Sequence, residues 1–296
     1  MLFRYFSIAL IFLLIPFSAL GSPSHLNQLV IFGDSYSDNG NTYRISGNTY
    51  PGNPYYKGQF CDGPVWPTYL ADSLKIAAYR NYAYGQAQIS GVMSFDTHDS
   101  NKHTWQFEVP DLSKEIDQYF KDENVDSQNT FYFVFIGTND FLNYIPSSKE
   151  NDEKFVRLCL KALTRQINRL KAIGATHIVL FNMRDLKLSP LAHELADRYQ
   201  NDYLVKLTDM VNLYNSLLKD HYKDSKQVRV FDINQFDASY FYTKLGSPCY
   251  VNNGNYIDPQ NAPCLDRSNH FFYDRVHLTS SMNKELAKEV ARFIVQ

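Results

Sequence analysis

The sequence predicts an α/β protein of three layers, α/β/α, around a central, mostly parallel sheet. Two observations carry this expectation. Short apolar runs at residues 28–32, 130–136, 177–181 and 228–231 are rich in β-branched and aromatic side chains and read as buried strands. Helical apolar spacing fills the long stretches between the later runs, and strand alternating with helix at this separation builds a parallel sheet covered on both faces. No shift of composition marks a linker, so residues 23–296 are expected to form one domain.

The elements follow in order. Arg4, an apolar run over residues 5–20 and the small residues Ala19, Gly21 and Ser22 have the layout of a secretory signal, expected over residues 1–22. That run is shorter than the ~20 residues a membrane-spanning helix needs, which argues against a retained anchor. The strand at 28–32 stops at Gly33, and residues 39–65, rich in Gly, Asn, Pro and Tyr, read as irregular. A helix is expected over 66–77, a short strand over 79–81 and a helix over 111–120, with 88–109 read as loop for want of a clear period. The strand at 130–136 is the strongest in the chain and ends at Gly137. An amphipathic helix over 152–173 closes at Gly174, one long helix is expected over 191–221, and a last one over 279–294.

A formal net charge of -2 without any cluster of Lys and Arg excludes nucleic acid as partner. The 22 Tyr and 21 Phe supply core and rim packing, or line a site for something partly apolar. Four cysteines, Cys61, Cys159, Cys249 and Cys264, permit three full pairings. Cys249 and Cys264 bracket a loop rich in Asn, Gly and Pro, so a bridge between them is expected in an oxidising compartment. Cys159 falls on the apolar face of a helical pattern and reads as a buried thiol. The chain has no C-x-x-C, H-E-x-x-H, P-loop, G-x-G-x-x-G or G-x-S-x-G pattern. Asp96, His98, Asp99 and His103 read as solvated residues rather than metal ligands, and His177, His193 and His221 as packing or surface histidines. Neither a metal nor a cofactor is expected.

Four segments carry chemistry. In Gly33-Asp34-Ser35-Tyr36-Ser37-Asp38-Asn39-Gly40-Asn41 a serine follows a buried strand and a glycine turn, which presents its hydroxyl at the sheet edge. Ligand crevices of open parallel sheets lie beyond the strands' carboxyl ends, and Ser35 and Asn139 both fall there. In Asp274-Arg275-Val276-His277 the spacing lets a carboxylate reach one imidazole nitrogen and leave the other as a general base. Gly137-Thr138-Asn139-Asp140 places an amide side chain able to donate to an oxyanion, and Tyr84-Gly85-Gln86 allows close backbone approach.

Together and in this order these blocks resemble the GDSL or SGNH hydrolase family, named for its Ser, Gly, Asn and His. The resemblance runs from about Val30 to Thr279. The extended first block, with Gly58-Gln59-Phe60-Cys61-Asp62-Gly63-Pro64-Val65-Trp66 after it, is similar to a bacterial branch of secreted lysophospholipases A and glycerophospholipid–cholesterol acyltransferases. It implies a flavodoxin-like SGNH fold and a triad of Ser35, Asp274 and His277. The implied oxyanion hole is the Ser35 N–H, the Gly85 N–H and the Asn139 side chain. Two positions depart from the pattern: Tyr36 stands where the family has Leu, and Gly85-Gln86 where it has a glycine pair. Should the second residue of that pair be the donor, Gln86 would supply it from its backbone.

The expected activity is therefore ester hydrolysis through an acyl-enzyme, declining below about pH 6.5 because the base must be a neutral imidazole. The branch implies a lipid or lysophospholipid substrate, acyl transfer to an alcohol as a further activity, transient contact with membrane surfaces, and a secreted monomer. The aromatic loop residues Tyr50, Tyr55, Tyr56 and Phe60 suit an acyl chain, but equally stacking on sugars, so a carbohydrate deacetylase is the alternative substrate reading. A non-catalytic exported binding protein of the same fold is the alternative from another class.

Overall fold

The computed structural model describes residues 28–76, 79–98, 104–122, 127, 129–199, 202–250 and 263–296. In chain order its strands are β1 (Gln28–Gly33), β2 (Arg80–Asn81), β3 (Met93–His98), β4 (Thr104–Val109), β5 (Thr130–Phe135), β6 (His177–Phe181) and β7 (Val228–Phe231). Its helices are α1 (Asn41–Ile45), α2 (Trp66–Ser73), α3 (Leu112–Lys121), α4 (Thr138–Asn143), α5 (Lys149–Ala172), α6 (Pro190–Tyr199), α7 (Tyr203–Tyr222), α8 (Ile233–Tyr240) and α9 (Ser280–Val295). Five strands form one sheet in the order β2-β1-β5-β6-β7, parallel at every junction. Counting only these five, that is the flavodoxin-like order 2-1-3-4-5, whose switch point lies between β1 and β5.

The alternation of side chains along each strand divides the core in two. Val30, Phe32, Tyr132, Val134, Ile178 and Leu180 point to one face, where α3, α5 and α7 cover them. Leu29, Ile31, Phe131, Phe133, Val179 and Phe181 point to the other, beneath α2, α8 and α9. At ~1.5–3 kcal/mol for each large apolar side chain buried, these two layers dominate the stability of the molecule. The three-layer architecture is the one the strand pattern predicts.

Three segments differ from expectation. Residues 88–109 contain an antiparallel hairpin, β3 with β4, rather than loop throughout. Exposed Ser94 and Asp96 alternate with half-buried Met93 and Phe95, while Gln106 and Glu108 alternate with buried Phe107 and Val109. So few apolar residues per strand make a weak period, and packing against the core decides the outcome. The helix expected over 191–221 is two, α6 and α7, and Asp202 before α7 takes a left-handed backbone (φ 55°), which ends helical propagation. The helix from Trp66 stops at Ser73 because Lys75 turns left-handed (φ 57°).

Cys249 and Cys264 are joined by a disulfide, and Cys61 and Cys159 are buried thiols. The expected signal segment, together with Asp99 and His103, lies outside the described residues. Among the described residues no helix is long and apolar enough to cross a membrane.

Candidate active site

The first block leaves β1 through a turn that only glycine fits. A side chain on Gly33 would collide with the Phe135 carbonyl, against which β1 and β5 are registered. Beyond it, the Ser37 and Asp38 amides donate to the Asp34 carbonyl (2.9 and 3.1 Å), winding residues 34–38 into one helical turn. Ser35 sits on this turn, 6% exposed, at the switch point of the sheet. Its own N–H makes no hydrogen bond among the described residues.

Asp38 fastens this block to the second. Its Oδ1 accepts the Gly40 and Asn41 amides (2.8 and 2.6 Å), and its Oδ2 accepts the Thr42 and Gly85 amides (3.1 and 2.9 Å). Asn41 adds bonds to the Asn81 and Ala83 carbonyls (3.0 and 2.8 Å). The Gly85 N–H, expected from the resemblance to meet an oxyanion, is engaged by Asp38 and by Thr42 Oγ1 at 2.7 Å. Its lack of a side chain serves packing instead, because a Cβ there would collide with the Phe60 ring. The next residue, Gln86, holds a left-handed backbone (φ 69°), and its N–H makes no hydrogen bond among the described residues.

The third block follows β5. Gly137 (φ 120°) turns the chain into α4, and Asn139 falls in that helix's first turn. Asn139 Nδ2 donates to the Ala87 carbonyl at 2.8 Å, which draws the second and third blocks together and leaves its other N–H for a ligand. Asp140 locks the same junction by accepting the Ile89 amide (3.0 Å), and burial pushes its carboxyl up to about 7.

The fourth block arrives from residues 273–277. His277 Nε2 lies 2.7 Å from Ser35 Oγ, and its Nδ1 lies 2.7 Å from Asp274 Oδ2. The two segments are 242 residues apart in sequence. Asp274 Oδ1 accepts the backbone amides of Val276 and His277, each at 2.8 Å, and Oδ2 accepts the Tyr55 hydroxyl at 2.6 Å. Burial opposes ionisation of Asp274, but the His277 charge and these donors outweigh it and hold the carboxyl below its ordinary range. All three side chains are nearly dry, with Asp274 5% and His277 7% exposed. An imidazole so placed can take the serine proton, and the ionised carboxylate fixes its tautomer.

Several residues around this line were not legible in the sequence. The Tyr36 hydroxyl donates to the Val276 carbonyl (2.8 Å), and its ring stacks on Phe135 with centroids 5.1 Å apart. The Arg184 guanidinium lies over the Tyr36 ring at 4.8 Å and makes a bidentate pair with Asp237 (2.9 and 2.8 Å), fully buried. Beneath β1, Glu115 Oε2 accepts the Gly33 amide at 2.8 Å, and burial holds its carboxyl well above the usual range. Proximity to the GDS segment singled out Tyr36 as a departure from the family pattern; nothing local marks Arg184, Asp237 or Glu115. Tyr50, Tyr55 and Phe60 are buried rather than presented as a stacking surface, and only Tyr56 is part-exposed. His177, His193 and His221 are exposed, as is Asp96 on β3, while Cys264, Asp266 and His270 cluster around a sulfur already committed to the disulfide.

The chain is similar to known proteins. A family model described as GDSL-like Lipase/Acylhydrolase matches residues 29–290. A phosphatidylcholine-sterol acyltransferase of Aeromonas hydrophila is 26% identical over 322 aligned residues, covering 93% of this chain and 92% of that protein. GDSL esterase/lipase 7 of Arabidopsis thaliana is 26% identical over 313 residues, covering 87% and 85%. Among solved structures, a member of the lipolytic G-D-S-L family from Veillonella parvula superposes with a TM-score of 0.50 at 12% identity, over 90% of this chain and 97% of that one, a likeness of fold.

Proposed function

The chain belongs to the GDSL-like lipase/acylhydrolase family, and from that premise we propose that it is a lysophospholipase A with Ser35 as nucleophile, His277 as general base and Asp274 as the group that orients the imidazole. One observation carries the reading: the unbroken line Ser35 Oγ, His277 Nε2, His277 Nδ1, Asp274 Oδ2, with 2.7 Å at both contacts. As Ser35 attacks the ester carbonyl its proton passes to His277 Nε2, and the imidazolium is stabilised by Asp274. The tetrahedral oxyanion is met by the Ser35 amide, the Gln86 amide and Asn139 Nδ2. His277 then protonates the leaving alcohol, and a water activated by the same nitrogen releases the fatty acid; an acceptor alcohol in place of water gives acyl transfer.

The substrate class rests on the similarity to an acyltransferase whose name specifies phosphatidylcholine, together with the sequence resemblance to the lysophospholipase branch. Such an enzyme is expected to be exported through residues 1–22, to act as a monomer and to touch membrane surfaces transiently. Gel filtration showing a stable dimer would contradict the monomer, and a mature chain beginning at Met1 would contradict processing.

The test compares fatty acid release from lysophosphatidylcholine with acetate release from acetylated xylan, in the parent and in Ser35→Ala. Release of fatty acid that Ser35→Ala abolishes supports the proposal. Turnover of acetylated xylan alone moves the substrate to carbohydrate, and undiminished activity of Ser35→Ala removes the nucleophile assignment. A parent that neither hydrolyses either substrate nor reacts with a fluorophosphonate is a binding protein rather than an enzyme.

A further inference from the structure

We propose that Tyr55 is a positioning residue for this chemistry: its buried hydroxyl, bonded to Asp274, sets how much of the carboxylate's charge reaches His277. The inference rests on the triad reading above and adds a fourth group to it, from a segment 219 residues away in sequence.

The allocation of hydrogen bonds on Asp274 is unequal in a way that matters. Oδ1 faces two backbone amides, of Val276 and His277, which hold the carboxylate to its own turn. Among the described residues Oδ2 accepts only side-chain groups: His277 Nδ1 at 2.7 Å and the Tyr55 hydroxyl at 2.6 Å. The imidazole and the phenol thus compete for one oxygen. An O–H donor to an ionised carboxylate is strong, and stronger still away from water. Here both groups are almost fully buried, Tyr55 at 7% exposure and Asp274 at 5%.

The phenol is held for this contact by its surroundings. Its ring meets Tyr273 and Tyr250 edge to face, with centroids 5.5 and 5.8 Å apart, and Phe60 at 6.1 Å. Phe60 in turn lies 5.1 Å from the His277 ring, so one aromatic wall seals both ends of the carboxylate–imidazole pair. The Tyr55 amide donates to the Gly52 carbonyl at 3.0 Å, which fixes the backbone behind the ring. A hydroxyl restrained from every side costs little further entropy when it bonds, so it serves as a standing donor rather than an occasional one.

The physical consequence has a definite sign. While the phenol shares Oδ2, part of the negative charge is neutralised and the imidazolium is stabilised less. Without the hydroxyl, the full charge rests on the imidazolium and its proton is held more tightly. A tyrosine that merely filled space would leave the protonation of the base unchanged when replaced by phenylalanine.

The experiment is Tyr55→Phe in the full-length protein, read as the pH dependence of kcat/KM on a short-chain nitrophenyl ester. The acid limb is expected to move to higher pH by about half a unit. On the plateau kcat should change less than about 3-fold, because a more tightly held proton favours its removal from Ser35 and opposes its delivery to the leaving alcohol, with KM changed less than about 2-fold. In an Asp274→Ala background the phenol has no carboxylate to serve, so adding Tyr55→Phe should alter the rate of fluorophosphonate labelling at Ser35 by less than about 2-fold. An acid limb that superimposes on the parent's overturns the proposal, as does an equal slowing of labelling with and without Asp274. Failure of the triad reading would look different: Ser35→Ala or His277→Ala would retain full turnover, whatever Tyr55→Phe does.

Discussion

The Tyr36 hydroxyl donates to the Val276 carbonyl across 2.8 Å, and the two residues are immediate neighbours of Ser35 and His277. One hydrogen bond therefore joins the backbone beside Ser35 to the backbone beside His277. The family's usual leucine at position 36 has no group to make it. Tyr36→Phe is expected to lower kcat/KM about 3- to 10-fold and to destabilise by about 1–2 kcal/mol, because it strands a part-buried carbonyl. Steady-state kinetics and urea unfolding on the same preparation check both; unchanged kinetics would mean that other contacts alone position His277.

Behind Tyr36, the Arg184–Asp237 pair is sealed from water. Asp237→Ala leaves an unpaired buried guanidinium and is expected to cost about 3–5 kcal/mol. Replacing both partners, as Arg184→Met with Asp237→Leu, should recover most of that loss, since neither variant side chain needs a counter-charge. A double variant no more stable than Asp237→Ala would show that the charge itself organises the Tyr36 ring.

Burial pushes the Asp34 carboxyl up to about 7, against donors that only partly offset it. An unfolded aspartate titrates near 3.9, so across the window between these values the native chain keeps a proton that the unfolded chain has lost. Stability should therefore fall as pH rises through that window. Asp140, also held up to about 7 by burial, adds to the slope. Asp34→Asn cannot ionise and should show a shallower decline. Urea midpoints between pH 5 and pH 8 measure it, and parallel slopes for parent and variant would contradict the account.

For the proposed oxyanion donors, Asn139→Ala should lower kcat about 100- to 1000-fold while KM changes little, the signature of a bond made in the transition state. Gln86→Gly keeps the backbone amide and suits the left-handed φ of 69°, so it should retain activity within about 3-fold. A collapse of kcat in Gln86→Gly would show that the Gln86 side chain, bonded to the Tyr50 hydroxyl at 3.2 Å, matters more than its amide.

Much of this molecule is legible in the chain itself. The runs ending at Phe32, Ile136, Phe181 and Phe231 announce four of the five sheet strands, since a strand covered on both faces must be apolar throughout. Ser35 and Asn139 were placed by the rule that crevices open beyond the strands' carboxyl ends, and Cys249 with Cys264 by the composition of the loop they close. The β3–β4 hairpin was not legible, because two or three apolar residues in six make no convincing period. Nor was the break before α7, where Asp202 turns left-handed inside an otherwise continuous helical pattern.

By itself, then, the order of residues determined the layers, the proposed reacting groups and the turn that pairs Asp274 with His277, because each depends on spacing within a few residues. Only the tertiary structure decided that the Gly85 amide is spent on Asp38, that the Gln86 amide is unengaged among the described residues, and that Tyr36 and Tyr55 hold either side of His277. Those outcomes depend on which distant donor reaches each acceptor first. A hydrogen bond between residues 40 to 240 positions apart is set by the packing of whole elements, and no local pattern records it.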